Sequence, residues 1–132
     1  MSDEKETNIT KKPRILVLDD DKDVVLTLKV GLEKNDFVVD AFNDPAAALR
    51  SFRAGVYHLL LVDIRMPKMN GFEFYREIEK IDSRAKVCFI TSFVVYYESL
   101  SEIFPKIKIS CFIKKPIEIA NLVKRINVEL GR

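Results

Sequence analysis

No apolar run in this chain approaches the roughly 18 residues that a membrane-spanning helix needs, and residues 1–12 are charged and polar, without a hydrophobic signal core. The cytoplasm is therefore the expected compartment, with no membrane partner. Cysteine is scarce. Cys88 and Cys111 each lie inside an apolar, strand-like run and are read as small buried hydrophobes in a reducing compartment, not as a disulfide or redox pair. Histidine is scarcer still, and His58 is read as structural or exposed rather than as a ligand. Repeats and low-complexity segments are absent, and a net charge of +2 gives no reason to expect direct contact with nucleic acid.

What is present is a 132-residue chain, 48% hydrophobic and 32% charged, which is the balance of one soluble domain with one core and no room for a separate effector domain. Residues 1–12 carry too little apolar surface to fold and are expected to form a disordered tail ahead of a domain over 13–132. From Ser101 onward Lys106, Lys108, Lys114, Lys115, Lys124, Arg125 and Arg132 outnumber Glu102, Glu118 and Glu129. That excess is read as a solvated face in preference to a docking surface for an acidic partner.

The stretch that organises the rest is Leu59-Leu60-Leu61-Val62-Asp63, followed by Ile64-Arg65-Met66-Pro67-Lys68-Met69-Asn70-Gly71. Four consecutive apolar residues predict a strand buried on both faces, and Met-Pro and Asn-Gly are loop signals. Asp63 then stands at a strand's C-terminal end, the edge where open parallel sheets bind ligands. The competing reading of Asp63 alone is a cap on the following turn.

The pattern recurs along the chain. Arg14 to Leu18 predicts a strand ending in Asp19, Asp20 and Asp21, then a helix from about Lys22 to Lys34 with Val24, Val25, Leu28 and Leu32 at helical spacing. Asp21 and Asp23 fall at that helix's N-terminal end, where the macrodipole favours them. Phe37 to Ala41 predicts a second strand, and Asn43-Asp44-Pro45 caps a helix with Ala48, Leu49 and Phe52 inward, stopped by Gly55. His58 to Val62 is the third strand, and Phe72 to Ile81 a helix with Phe74, Ile78 and Ile81 as its buried stripe. Lys86 to Ile90 is the fourth strand, ending at Thr91-Ser92. Val94 to Phe104 is a helix broken by Pro105, Ile109 to Ile113 the fifth strand, ending at Lys114-Lys115-Pro116, and Ile119, Leu122, Val123, Ile126 and Leu130 line a last helix.

Five strands alternating with five helices predict a doubly wound α/β fold with a parallel sheet covered on both faces. All strand C-termini then share one edge, so Asp19, Asp20, Asp63, Thr91 and Lys115 converge. Carboxylates crowded there repel one another, and a divalent cation relieves the repulsion; an all-oxygen set points to Mg²⁺ or Mn²⁺ rather than zinc. Lys115 and Thr91 supply the cation and the donor that a metal-bound phosphoryl group still needs, and positioned charge suffices for phosphoryl transfer.

Leu18-Asp19-Asp20-Asp21, Leu61 to Gly71, Ile90-Thr91-Ser92 and Lys114-Lys115-Pro116 together resemble the receiver domain of two-component response regulators, over about Arg14 to Leu130. The resemblance implies a flavodoxin-like sheet of order 2-1-3-4-5 and a single-domain signalling protein that is not an enzyme acting on other substrates, although it catalyses its own phosphorylation and dephosphorylation. Asp63 is implied as phosphoacceptor, with Thr91 and Lys115 as its catalytic companions. Asp19, Asp20, Asp63 and the backbone carbonyl of Arg65 are implied as the Mg²⁺ site. Thr91 and Phe112 are implied as the switch pair: Thr91 moves onto the phosphoryl group and Phe112 turns into the space vacated. The readout surface would be the fourth helix, fifth strand and fifth helix. The implied partners are a histidine kinase or phosphotransfer protein and a downstream protein target, with a monomer or a weak homodimer through the readout surface.

Several positions depart from or tune that pattern. Phe112 has no phenol hydroxyl to anchor an exposed rotamer. Ser92 is small enough to leave the phosphate accessible. Arg65 and Phe93 are bulky at positions that tune phosphoryl lifetime and are expected to slow water attack. Tyr96, Tyr97 and Phe104 offer either core packing or an aromatic docking patch. A haloacid dehalogenase-type phosphohydrolase is the competing enzyme class, but it needs an Asp two residues past the nucleophile, where this chain has Arg65. A receiver that binds partners without phosphorylation is the third reading. Its argument runs against the intact acid pair, acceptor, Thr and Lys.

Overall fold

The computed structural model describes residues 11–92 and 111–132. Residues 1–10 of the expected 1–12 tail, the expected Val94 to Phe104 helix, and Phe93, Tyr96, Tyr97, Lys106, Lys108 and Ile109 lie outside the described residues. Strand β1 spans Arg14–Leu18, β2 Val38–Phe42, β3 Leu59–Asp63, β4 Val87–Thr91 and β5 Phe112–Lys114. Helices, numbered among the described residues, are α1 (Lys22–Glu33), α2 (Pro45–Ser51), α3 (Gly71–Ile81) and α4 (Ile119–Glu129). The strands form one parallel sheet of order β2-β1-β3-β4-β5. This is the doubly wound, flavodoxin-like order expected from the sequence.

Side chains alternate across the sheet with the period of two that any strand imposes, and here both faces are covered. Leu16, Leu18, Leu60, Val62 and Phe89 point to one face and pack with Ala48 and Phe52 from the α2 region and Phe74 and Ile78 of α3. Ile15, Val17, Leu59, Leu61, Cys88, Ile90 and Ile113 point to the other and pack with Leu28 and Leu32 of α1 and Leu122 and Ile126 of α4. That two-sided burial is why the Leu59–Val62 run is apolar without alternation, each such side chain contributing about 1.5–3 kcal/mol of transfer free energy.

Local chemistry sets the element ends. Asp21 caps α1, accepting from the backbone N–H of Asp23 and Val24, and Asp44 caps α2 by accepting from Ala47 N. Arg14 in β1 and Tyr57 before β3 both bond Asp40 Oδ2 of β2, at 2.8 and 2.7 Å. His58 is exposed and its Nδ1 accepts from Arg14 N at 3.0 Å, which suits a structural role.

Three sequence expectations need correction. Helix α2 ends at Ser51, not at Gly55, because Phe52 turns to extended backbone and buries its ring; Gly55, at φ 76°, belongs to the following turn. Ile81 is 51% exposed: the buried face of α3 is Phe72, Phe74, Tyr75 and Ile78, and Ile81, the last residue of the helix, stays outside it. Cys88 and Cys111 are disulfide-bonded rather than free buried thiols. Their strands are neighbours in a register that sets Phe89 opposite Phe112, so the residues just before each face each other with Cα atoms 4.6 Å apart. No described helix is long and apolar enough to cross a membrane.

Candidate functional site

The three central strands β1, β3 and β4 deliver Asp19, Asp63 and Thr91 to one edge of the sheet. Asp63 is the last residue of β3 and Thr91 the last of β4; Asp19 follows β1 directly. Asp19, Asp63 and Thr91 are buried, at 0%, 6% and 3% exposure, while Asp20 beside them is exposed. They are the only buried polar side chains among the described residues, so this edge is where the fold departs from an apolar interior.

Asp19, Asp20 and Asp63 each bring a carboxylate oxygen within 4.8 Å of the other two. Lys115 reaches them from the loop after β5: its Nζ donates to Asp19 Oδ2 at 2.5 Å and stands 3.6 Å from Asp63 Oδ1. Asp19 Oδ1 also accepts from the backbone N–H of Asp21 at 3.0 Å, so both oxygens of this buried carboxylate are bonded. Lys115 is held by its own backbone, whose N–H donates to Thr91 O at 2.7 Å, and the Lys115–Pro116 peptide is cis.

Three carboxylates therefore face one ammonium. Burial pushes the Asp63 carboxyl up to about 6 and the Asp19 charge adds to the rise; Lys115 opposes it, and Asp20 adds a little more. For Lys115, burial works against the charged form, but the hydrogen bond and charge of Asp19, with Asp63 behind them, hold the ammonium above its ordinary range. The donor set is all oxygen, close-set and short of positive charge, which fits a hard divalent cation of the Mg²⁺ class and gives no soft ligand for zinc. Asp19 has both oxygens engaged, and Asp20 and Asp63 complete the oxygen set that could hold such a cation. His58 belongs to no metal-competent group among the described residues.

The loop from Ile64 to Asn70 carries Arg65, exposed, past the carboxylate cluster. Two local devices fix this loop beyond the Met-Pro and Asn-Gly turn signals. Gly71 N donates to Ile64 O at 2.8 Å, and any Cβ at position 71 would strike the carbonyl oxygen of Asp63. Asn70 and Glu73 then form a reciprocal capping box at the start of α3. The Asn-x-x-Glu spacing was the signal available in the sequence. Asp21 and Asp23, near the cluster in sequence, serve the α1 terminus instead. Phe112 in β5 is partly buried, packing against Phe72 and Phe89 with ring centroids 6.4 and 5.7 Å away.

Comparison with known proteins gives one consistent result. A family model described as the response regulator receiver domain matches residues 15–127. The chain is 34% identical over 113 residues to the response regulator receiver protein CpdR of Brucella abortus, covering 86% of this chain and 92% of that one. It is 30% identical over 129 residues to the transcriptional regulatory protein PrrA of Mycobacterium tuberculosis, covering 96% of this chain but 53% of that one, so it spans about half the length of such relatives. Among solved structures it is similar to the non-phosphorylated HemR receiver domain from Leptospira biflexa, with TM-score 0.80 and 27% identity, covering 92% of this chain and 96% of that one. A response regulator receiver domain protein from Clostridium thermocellum matches with TM-score 0.77 and 25% identity, over 91% and 95% of the two chains.

Proposed function

Because the chain belongs to the response regulator receiver family of two-component signalling, we propose that Asp63 is its phosphoacceptor, taking a phosphoryl group from a phosphohistidine on a kinase or phosphotransfer protein. The observation that carries this reading is the reach of Lys115 across Asp19 to Asp63, within a set of three carboxylates open to solvent through Asp20.

An Asp63 oxygen attacks phosphorus, the new P–O bond forms as the P–N bond to the donor imidazole breaks, and the imidazole leaves with a proton. Lys115 takes up charge on a phosphoryl oxygen, and the fixed β3–α3 loop holds the acceptor in line. Asp19, Asp20, Asp63 and the Arg65 carbonyl would hold Mg²⁺, whose charge would offset that of the phosphoryl oxygens. Thr91 then gains a charge-assisted bond by donating its hydroxyl to the phosphoryl group, and Phe112 turns in behind it. The domain catalyses its own phosphorylation and dephosphorylation and acts on no other substrate. Output passes through a surface that includes β5 and α4 to a protein target or a second copy, and the cytoplasm is the compartment that suits such partners.

The test is incubation with acetyl phosphate and Mg²⁺, followed by intact mass. One acid-stable, base-labile phosphate per chain, absent in Asp63→Asn, is expected. Turnover of many equivalents points to a phosphohydrolase, and no uptake points to a receiver that works unphosphorylated.

A further inference from the structure

The sheet face under α1 and α4 holds one reactive group that the phosphoacceptor reading does not use. Cys88 of β4 and Cys111, one residue before β5, are joined across the two strands and almost wholly shielded from solvent. The Glu129 carboxylate of α4 lies within 4.8 Å of both sulfurs. Glu129 also lines a surface cleft of about 430 Å³ with Tyr75, Arg84 and Lys86, so the residue beside the sulfurs reaches the surface.

We propose that Cys88 and Cys111 form a reversible thiol–disulfide switch that sets how readily the Asp63 site is phosphorylated, an inference that rests on the phosphoacceptor reading above. Permanent structural disulfides are rare in the reducing compartment where such signalling operates, so two cysteines placed there to bond are a pair that changes state. Burial and the neighbouring carboxylate both disfavour a thiolate, the form through which the bond is both made and broken, so each state persists until an oxidant or a reductant acts on it.

The bond's position supplies the coupling. Cys88 lies three residues before Thr91 and Cys111 four before Lys115, on the two strands that carry both groups to the site. Between bond and site the strands are laddered, from Phe89 N to Cys111 O at 2.9 Å up to Lys115 N to Thr91 O at 2.7 Å. The disulfide also closes a covalent ring from 88 to 111 that contains Thr91. In the oxidised form the movement of Thr91 onto a phosphoryl group works against this ring, and reduction removes that resistance.

The oxidant is hydrogen peroxide, small enough for a buried site. One thiolate attacks the peroxide, forming a sulfenic acid and releasing water once hydroxide is protonated; the second thiol displaces water from the sulfenic sulfur and the S–S bond forms. A dithiol reverses this: its thiolate attacks one sulfur, the other cysteine leaves as thiolate, and the reductant's second thiol closes its own disulfide, freeing the first cysteine.

To test it, the folded full chain is treated with dithiothreitol or hydrogen peroxide, and its thiols are counted by alkylation and mass. Each form is then phosphorylated with acetyl phosphate and Mg²⁺. Interconversion of the two forms is expected, with phosphorylation about five-fold faster in the reduced one and no redox dependence in Cys111→Ala. Equal rates in the two wild-type forms overturn the inference without recourse to the variant. So do thiols that never bond under peroxide, or a reduced chain that binds one Zn²⁺ instead. If neither form takes up phosphate, the phosphoacceptor reading fails, and amide exchange at Thr91 and Lys115 judges the switch: slower exchange in the oxidised form supports it, equal exchange ends it.

Discussion

Lys115 Nζ donates to Asp19 Oδ2 at 2.5 Å across 96 residues of sequence, joining the loop after the last strand to the end of the first. Asp19 has no exposed surface, and its two oxygens are bonded by this partner and by the Asp21 N–H. Lys115→Ala leaves a buried carboxylate short of a donor beside two others. The expected loss is about 2 kcal/mol at pH 7, discounted because Lys115 is itself partly exposed. Urea unfolding measures it, and a change within a few tenths would show that water or an ion replaces the ammonium.

Removing an acid acts in the opposite direction. Asp63 is buried against the Asp19 charge, and its carboxyl is pushed up to about 6, so ionising it at neutral pH weakens the fold. Asp63→Asn keeps the shape and deletes the charge. It is expected to stabilise the metal-free protein by about 1–2 kcal/mol at pH 7 while abolishing phosphate uptake. A variant less stable than wild type would mean that the Asp63 charge is already compensated without a cation.

The pH profile follows from the same group. A carboxyl near 6 in the folded chain against 3.8 ordinarily means the folded state holds the extra proton between those values. Stability therefore falls as pH rises from about 4 to about 6 and levels off above, by on the order of 2 kcal/mol for this group. Lys115 contributes at the other end: its raised value gives stability that is present below its ordinary range and lost as pH climbs through the folded one. Thermal unfolding from pH 4 to 7 is the measurement, and Asp63→Asn is expected to lack the acidic slope.

Much of this was legible in the sequence, for identifiable reasons. Leu59 to Val62 is apolar without alternation because helices cover both faces, and a parallel sheet sends every strand's end to one edge, so Asp63 and Lys115 could be placed together before any coordinates. What escaped depends on register or on where an element leaves the core. Ile81 keeps the helical spacing of the buried stripe but is the last residue of α3 and half exposed. Gly55 is a plausible helix stop, yet Phe52 ends α2 first because its ring is worth more inside. The Cys88–Cys111 bond was set aside on grounds of compartment; only the β4–β5 register shows the two sulfurs to be neighbours.

Gly71 tests whether the loop, as well as the charges, positions the acceptor. Its backbone lies so close to Asp63 that an added Cβ would meet the Asp63 carbonyl oxygen and Ile64, both backbone and unable to swing aside as a side chain could. Gly71→Ala must therefore push α3 away from the end of β3, breaking the Gly71 N to Ile64 O bond and loosening the capping box one residue upstream. A cost of about 2–3 kcal/mol is expected, as for overpacking elsewhere. The acceptor would also shift relative to Lys115, so phosphate uptake should slow by about tenfold or more even under conditions where the variant is fully folded. Asn70→Ala is the control, since it removes the cap at about 1 kcal/mol without adding bulk beside Asp63. If the two variants slow uptake equally, helix capping rather than the close approach of Gly71 governs the geometry of the acceptor.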